Sequence, residues 1–231
     1  MYSLRSDEEQ RAALRQFWHQ YGLIVVAAAV LVAAVCAGLW AWHSYQRNQA
    51  EEASAFYQKL LDESLLLSGN EQAPTDEKKA ALEALWLPLK EEYGGTIYAQ
   101  LAALVLAGKA VQTADLVAAK EKLEWVLERK PGNAIDTVTR LRLARVLLSL
   151  PADERHENAT RALELLQAAD APGALSSAVE QVRGDILVAL GKEDEAYAAY
   201  QNAAANALSG SWSSTLVTMK RDDLSPAEDS P

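Results

Sequence analysis

The chain has 231 residues, half of them hydrophobic, which is enough for one medium-sized domain with a buried core and excludes a disordered chain. Its formal net charge is -10, and residues 1–21 contribute none of it because three Arg balance three acids there. Such acidity argues against nucleic acid and anionic lipid surfaces as partners, since both are bound largely by Lys and Arg. Solubility alone is the simpler explanation of the charge.

The first predicted element is a membrane-spanning helix. Twenty residues from Gly22 to Ala41 carry no charge, and at about 1.5 Å per helical residue they cover about 30 Å, the thickness of bilayer hydrocarbon. Aromatic residues, which favour the membrane interface, flank the run on both sides: Phe17, Trp18, Tyr21, Trp40, Trp42 and Tyr45. We therefore predict one transmembrane helix over residues 22–42, embedded in a lipid bilayer.

A cleaved leader and a lipid anchor are the alternatives to this span. The run is longer than a signal peptide requires, and no small-x-small site ends it. Cys36 is the only cysteine, but Val35 precedes it where lipoprotein processing needs a small residue, and the apolar run continues to Trp42. With a single cysteine the soluble part can form no internal disulfide, so either redox compartment is allowed.

The distribution of basic residues predicts the orientation of the span. Arg5, Arg11 and Arg15 precede it, whereas only Arg47 and Lys59 lie in the comparable stretch after it. Because positive charge favours the cytoplasmic side, the N-terminus is expected in the cytoplasm and the large domain outside, in the periplasm of a Gram-negative bacterium.

Beyond the span the pattern is helical to the end of the chain. No Pro or Gly occurs between Leu39 and Ser68, so the anchor helix is expected to continue past the membrane. Breaks are expected at Gly69–Pro74 and at Gly94–Gly95, with a helix at Asp76–Glu91 between them. The resulting division is a tail at 1–21, the span at 22–42, anchor-proximal helices at 43–93, a repeat domain at 94–224 and a disordered tail at 225–231.

The clearest repeat lies near the C-terminus. Gly184, Gly191, Ala196, Tyr200 and Ala203 have relative offsets of 0, 7, 12, 16 and 19, which are those of the small and large residues of a tetratricopeptide repeat. Two antiparallel helices can approach closely only where one offers Gly or Ala to the bulk of the other. This spacing indicates one helix pair that packs in the tetratricopeptide manner.

Two degenerate copies precede this repeat. They supply the other predicted packing residues: Ala119, Leu123, Ala144, Ala159 and Leu163. The alanines at 119, 159 and 196 are 40 and 37 residues apart, longer than the usual repeat of about 34. We predict an all-α fold with a single N-terminal transmembrane helix and a tetratricopeptide-like helical repeat domain, capped by a helix at Trp212–Leu224. An unrelated helical bundle is the alternative fold.

No catalytic or metal-binding motif occurs in the sequence. His19, His43 and His156 are too far apart for metal-ligand spacing, and no nucleophile elbow, dinucleotide fingerprint or phosphate-binding loop is present. We therefore predict no catalytic, cofactor-binding or metal-binding residues, no small-molecule substrate and no enzymatic activity.

Stacked helix pairs instead create a groove that binds segments of other proteins. If Ala144 and Gly184 occupy equivalent packing positions, the residues that follow them, Arg145 and Asp185, should face this groove, with Gln181 one turn earlier. These three are the predicted partner-binding residues. The alternative is that Arg145 and Asp185 pair with each other or with solvent.

Several short phrases in fixed order resemble one known family. They are Asp7-Glu8-Glu9-Gln10, Leu14-Arg15, Phe17-Trp18 and Tyr21-Gly22 before the span, then Leu141-Arg142-Leu143-Ala144-Arg145-Val146, Arg183-Gly184-Asp185 and Leu190-Gly191-Lys192. Together with the single anchor they resemble the YfgM family, the ancillary subunits of the SecYEG translocon, over nearly the whole chain.

The resemblance implies a bitopic inner-membrane protein with a periplasmic repeat domain. It implies association with the SecYEG translocon and with a membrane-anchored periplasmic chaperone of the peptidyl-prolyl isomerase type, in a non-enzymatic scaffold that passes secreted polypeptides to periplasmic chaperones. A tetratricopeptide-type assembly or regulatory factor for another cell-envelope complex is the alternative, because fold does not fix function.

Overall fold

The structure is a computed structural model that describes residues 7–68, 76–169, 171, 173–207 and 212–224. These residues contain no strand, and their helices confirm the all-α fold class. In chain order the helices are α1 (Asp7–Ser68), α2 (Asp76–Glu91), α3 (Ile97–Gln112), α4 (Leu116–Glu128), α5 (Asn133–Ser149), α6 (Arg155–Gln167), α7 (Ala174–Ala189), α8 (Glu193–Asn206) and α9 (Trp212–Asp223).

The first of two compact units ends at Glu51 and contains most of α1. Within the described residues, α1 is the one helix long and apolar enough to cross a membrane. From Leu23 to Ala41 its apolar run is exposed; Leu23 is 87% exposed and Trp40 is 75% exposed. A helix that buries so little apolar surface against protein needs another apolar environment, which a bilayer supplies.

The second unit begins at Glu52, so the last turns of α1 belong to it. Leu60 of α1 is fully buried in a cluster with Trp86 of α2 and with Tyr93, which follows α2. The Tyr93 hydroxyl also donates a 2.6 Å hydrogen bond to Oε2 of Glu52. Helix α2 has the predicted bounds of Asp76–Glu91. The predicted break at Gly69–Pro74 and the predicted tail at 225–231 lie outside the described residues.

Three antiparallel helix pairs follow, formed by α3 with α4, α5 with α6, and α7 with α8. The second helix of each pair also packs on the first helix of the next pair, which is the arrangement of a tetratricopeptide array. The third pair is covered by α9, where Val217 is fully buried against Ala199, Tyr200 and Ala203 of α8. The array therefore ends in a helix that covers its last apolar face.

Local sequence signals explain where these helices begin. Thr96 caps α3, because its side-chain oxygen accepts from the backbone N–H of Ala99, and Asp115 caps α4 in the same way at 3.0 Å from Ala118 N. The longer turn of the middle pair contains Pro151 and a short 3-10 segment before α6. This turn accommodates the extra residues that make the spacing between Ala119 and Ala159 40 residues.

Candidate functional site

The closest approach between paired helices lies where Gly184 of α7 meets Tyr200 of α8. A Cβ atom added to Gly184 would lie 2.8 Å from Cζ of the Tyr200 ring, much nearer than atoms normally approach. Only glycine fits here, because the ring occupies the volume that any side chain would need. The ring is itself buried, so α7 and α8 pack face to face at this point.

The turn between α7 and α8 depends on a second glycine. Gly191 has a φ of +73°, in the left-handed region that favours glycine. Its N–H donates to the carbonyl of Val188, and the N–H of Lys192 donates to the carbonyl of Leu187 at 2.9 Å, which satisfies the last carbonyls of α7.

The other predicted packing residues lie at the interfaces between helices. Leu163 is half-buried on α6. The rest are buried: Ala119 and Leu123 on α4, Ala144 on α5, Ala159 on α6, and Ala196 and Ala203 on α8. The five alanines, at positions 119, 144, 159, 196 and 203, have small side chains that lie where neighbouring helices meet.

Asp185, a predicted partner-binding residue, is engaged by its own chain. Its Oδ1 accepts a 2.6 Å hydrogen bond from the Tyr200 hydroxyl and a second of 2.6 Å from Nζ of Lys220 on α9. Burial, followed by the bond to the Asp185 carboxylate, raises the pKa of Tyr200. Asp185 therefore joins α7, α8 and α9, and sequence reasoning did not identify Lys220 as its partner.

Arg145, the second predicted partner-binding residue, lies at the edge of a pocket between α3, α4 and α5. The pocket has a volume of about 370 Å³, within the usual range for ligand sites. Arg142, one turn earlier on α5, also lines it and donates through Nη1 to the carbonyl oxygen of Leu104 on α3 at 3.2 Å. The structure thus brings two guanidinium groups to one concavity.

The environment of Arg145 is unfavourable for a lone positive charge. Arg145 is exposed at the surface, but partial desolvation by the surrounding protein lowers its pKa; the negative charge of Asp185 raises the pKa and the positive charge of Arg142 lowers it. Within the described part of the chain Arg145 makes no ion pair, and Oδ1 of Asp185 is bonded to Tyr200 and Lys220. The guanidinium is left available to an external anion.

Gln181, the third predicted residue, lies half-buried on α7, one turn before Asp185. Of the three predicted contacts only Arg145 lines the pocket, although Asp185 is close enough for its charge to act on Arg145. Sequence reasoning missed the roles of Arg142 and Gly108 in the pocket. The sequence does contain a signal for Gly108. It directly follows the small residue Ala107 on α3, just as Arg145 directly follows the small packing residue Ala144 on α5.

Metal-binding chemistry has no counterpart in the described ranges. Nowhere in them do three or more His, Cys, Asp or Glu side chains come together in a way that could hold an ion. The pocket between α3, α4 and α5 is a concavity of the described residues with the size and the apolar lining to bind another molecule.

Comparisons with known proteins agree with this architecture. A family model described as a tetratricopeptide repeat-like domain matches residues 15–226. The chain is 27% identical over 218 residues to a protein of Aggregatibacter actinomycetemcomitans, which covers 94% of this chain and 97% of that protein. It is 24% identical over 218 residues to one of Neisseria gonorrhoeae, with the same shares covered.

A third relative, from Escherichia coli, is 27% identical over 197 residues, or 85% of this chain and 86% of that protein. All three relatives are named ancillary SecYEG translocon subunit. No solved structure matches the chain. The resemblance to the YfgM family is thereby confirmed.

Proposed function

This chain belongs to the tetratricopeptide repeat-like domain family, and we propose that it is a non-enzymatic, membrane-anchored scaffold that associates with the SecYEG translocon. The observation that carries the proposal is the combination, in one chain, of an unburied apolar helix and stacked helix pairs with an open concavity. Arrays of this kind bind segments of other proteins. The names of the relatives favour the translocon as the assembly that is joined.

The anchor supplies the physical basis for weak but effective contacts. A domain held to the inner membrane by one helix meets a neighbouring complex at a much higher effective concentration than a freely diffusing domain. We infer that the N-terminus is cytoplasmic and the repeat domain periplasmic, because Arg5, Arg11 and Arg15 precede the span. The repeat domain would then lie on the side where secreted chains emerge.

The finer role that we propose is the transfer of secreted polypeptides to periplasmic chaperones. The proposed chaperone is a membrane-anchored protein of the peptidyl-prolyl isomerase type. Arg145, Gln181 and Asp185 stay predicted partner contacts, and Arg145 is the most accessible of them because its side chain is exposed and unpaired among the described residues.

Co-purification from native membranes tests this function. We would extract the full-length protein in mild detergent and identify its companions by mass spectrometry, with Arg145→Glu and Arg155→Glu run alongside. Arg155 is a matched control because it is exposed at the start of α6, outside the pocket, and its replacement changes the net charge equally. We expect translocon subunits and a tethered chaperone, with selective loss in Arg145→Glu.

Each other result has a defined meaning. Equal loss in both variants would indicate a general charge effect and no specific role for Arg145. Migration of the protein alone after gentle extraction would contradict the scaffold role. Recovery of a different cell-envelope complex without any translocon subunit would favour the alternative, an assembly or regulatory factor for that complex.

A further inference from the structure

The pocket between α3, α4 and α5 has an apolar interior. Leu116 and the almost fully buried Leu123 of α4 form one wall, and Val111 of α3 and Val146 of α5 contribute to the others. No acidic residue lines it. A cavity with such walls gains free energy when it encloses an apolar side chain, at roughly 25 cal/mol for each Å² removed from water.

Gly108 keeps this pocket open. It lies within α3, where glycine is less favourable than alanine by about 1 kcal/mol. A Cβ built on Gly108 would meet no atom within 4 Å, so the position faces open space. The equivalent position on the other first helices, directly after a small packing residue, is Arg145 on α5 and Asp185 on α7. The missing side chain on α3 is what leaves room beside Arg145.

The polar edge of the pocket is cationic in a protein whose net charge is -10. Arg142 is oriented by its bond to the Leu104 carbonyl, and Arg145 lies one turn further along the same face of α5. Asp185, whose negative charge acts on Arg145, already accepts hydrogen bonds from Lys220 and Tyr200 through Oδ1. Two adjacent guanidinium groups of this kind are suited to a carboxylate, which accepts paired hydrogen bonds from Arg.

We propose that this pocket binds a partner polypeptide segment in which an apolar side chain lies close in sequence to Glu or Asp. The apolar side chain occupies the space over Gly108 and contacts Leu116 and Leu123, and the carboxylate binds Arg142 and Arg145. This assignment deepens the proposed scaffold function and rests on it, because it names the chemistry of the segment that the repeat domain recognises.

Peptide binding to the purified full-length protein in phosphatidylcholine nanodiscs tests the assignment. The probes are fluorescein-labelled dodecapeptides of Gly and Ser that contain Leu or Phe one, two or three residues before Glu, with anisotropy as the readout. Matched probes replace Glu by Gln or the apolar residue by Ser. We expect at least one probe to bind, with about tenfold weaker binding for each matched replacement.

Two protein variants report on the two halves of the pocket. Gly108→Leu fills the open space and improves helix propensity, so it should fold at least as well as the parent while the probe binds about tenfold more weakly. Arg145→Gln should weaken binding of the Glu probe and leave that of the Gln probe unchanged. Equal binding of the Glu and Gln probes, or full binding by Gly108→Leu, would overturn the assignment.

A measurement of the oligomeric state tests whether the pocket is instead occupied by a second copy of this chain. If the chain self-associates in light scattering and Gly108→Leu abolishes the association, the occupant is a second copy of this chain and the proposal is wrong. Failure of the assignment is distinguishable from failure of the scaffold function. No probe binding together with recovered translocon subunits overturns only the pocket assignment, whereas probe binding without any translocon subunit contradicts only the scaffold role.

Discussion

The hydroxyl of Tyr200 donates a 2.6 Å hydrogen bond to Oδ1 of Asp185, and the same oxygen accepts from Nζ of Lys220 at 2.6 Å. Three helices, α7, α8 and α9, thus meet at one carboxylate. The ring of Tyr200 packs at the same time over Gly184, the residue before Asp185. One aromatic side chain therefore links the apolar packing of the last repeat to its polar junction with the capping helix.

Tyr200→Phe should destabilise the repeat domain by about 1–2 kcal/mol, because a hydrogen bond to a charged acceptor is lost while the ring stays in place. Urea unfolding of the full-length protein in mild detergent, followed by circular dichroism, measures the change. Tyr197→Phe is the control, since Tyr197 is on the same helix but only half-buried. Equal effects of the two substitutions would show that the bond to Asp185 contributes nothing.

The contribution of this hydrogen bond should also depend on pH. Burial and the Asp185 carboxylate raise the pKa of Tyr200 above its unfolded value of about 10, so the folded state favours the neutral phenol. The stabilisation is therefore complete below about pH 10 and is lost as pH rises through the folded pKa. The difference in unfolding free energy between the wild type and Tyr200→Phe should be constant from pH 7 to 9 and shrink above about pH 10.

Two glycines inside helices should respond in opposite ways to alanine. Gly184→Ala should be destabilising by about 1–3 kcal/mol, because the new Cβ would overlap the Tyr200 ring and overpacking outweighs the gain in helix propensity. Gly108→Ala should stabilise by about 0.5–1 kcal/mol, because its Cβ meets open space. Thermal unfolding measures the change in stability of both variants. A change in the same direction for both would contradict the prediction.

Much of the fold could be predicted from sequence because its signals are local. The apolar run, the helix at Asp76–Glu91 and the small residues at Gly184 and Ala196 each depend on spacing along one or two adjacent helices. The bond between Asp185 and Lys220 joins residues 35 positions apart. This bond depends on how α9 packs against α7 and α8, and the spacing of apolar residues along the sequence does not predict that packing.

The candidate site depends on packing between helices that register along one helix does not record. Register placed Arg145 at the edge of a groove, but it placed Asp185 there equally, and the structure engages Asp185 with Tyr200 and Lys220. The pocket itself arises from a side chain that Gly108 lacks. Whether a missing side chain leaves a pocket depends on how α3, α4 and α5 pack around it, which the sequence of one helix does not show.

Chemical labelling should report the orientation of the anchor. Cys36 is the only cysteine and lies in the apolar run, so Cys36→Ala followed by Val117→Cys gives a single thiol on the repeat domain, at a position that is 62% exposed. In spheroplasts a membrane-impermeant maleimide should modify this thiol if the domain is periplasmic. Modification only after lysis would reverse the proposed topology. Cys36→Ala alone controls for background.

The aromatic cluster beside the last turns of α1 should be a major source of stability. Trp86 is 3% exposed, meets Trp125 edge-on at a ring separation of 4.8 Å and has Nζ of Lys122 at 5.8 Å from its ring centre. Trp86→Ala should therefore lower the unfolding free energy by about 3–5 kcal/mol, through lost burial and the cavity that remains.

Leu87 is the matched control for this prediction. It is the next residue on α2 but is 49% exposed, so Leu87→Ala should change the unfolding free energy by less than about 0.5 kcal/mol. Urea unfolding measures both variants. A small effect of Trp86→Ala would contradict the prediction. It would mean that the contact between Trp86 of α2 and Trp125 of α4 contributes little, so that α2 and the last turns of α1 unfold independently of the repeat pairs.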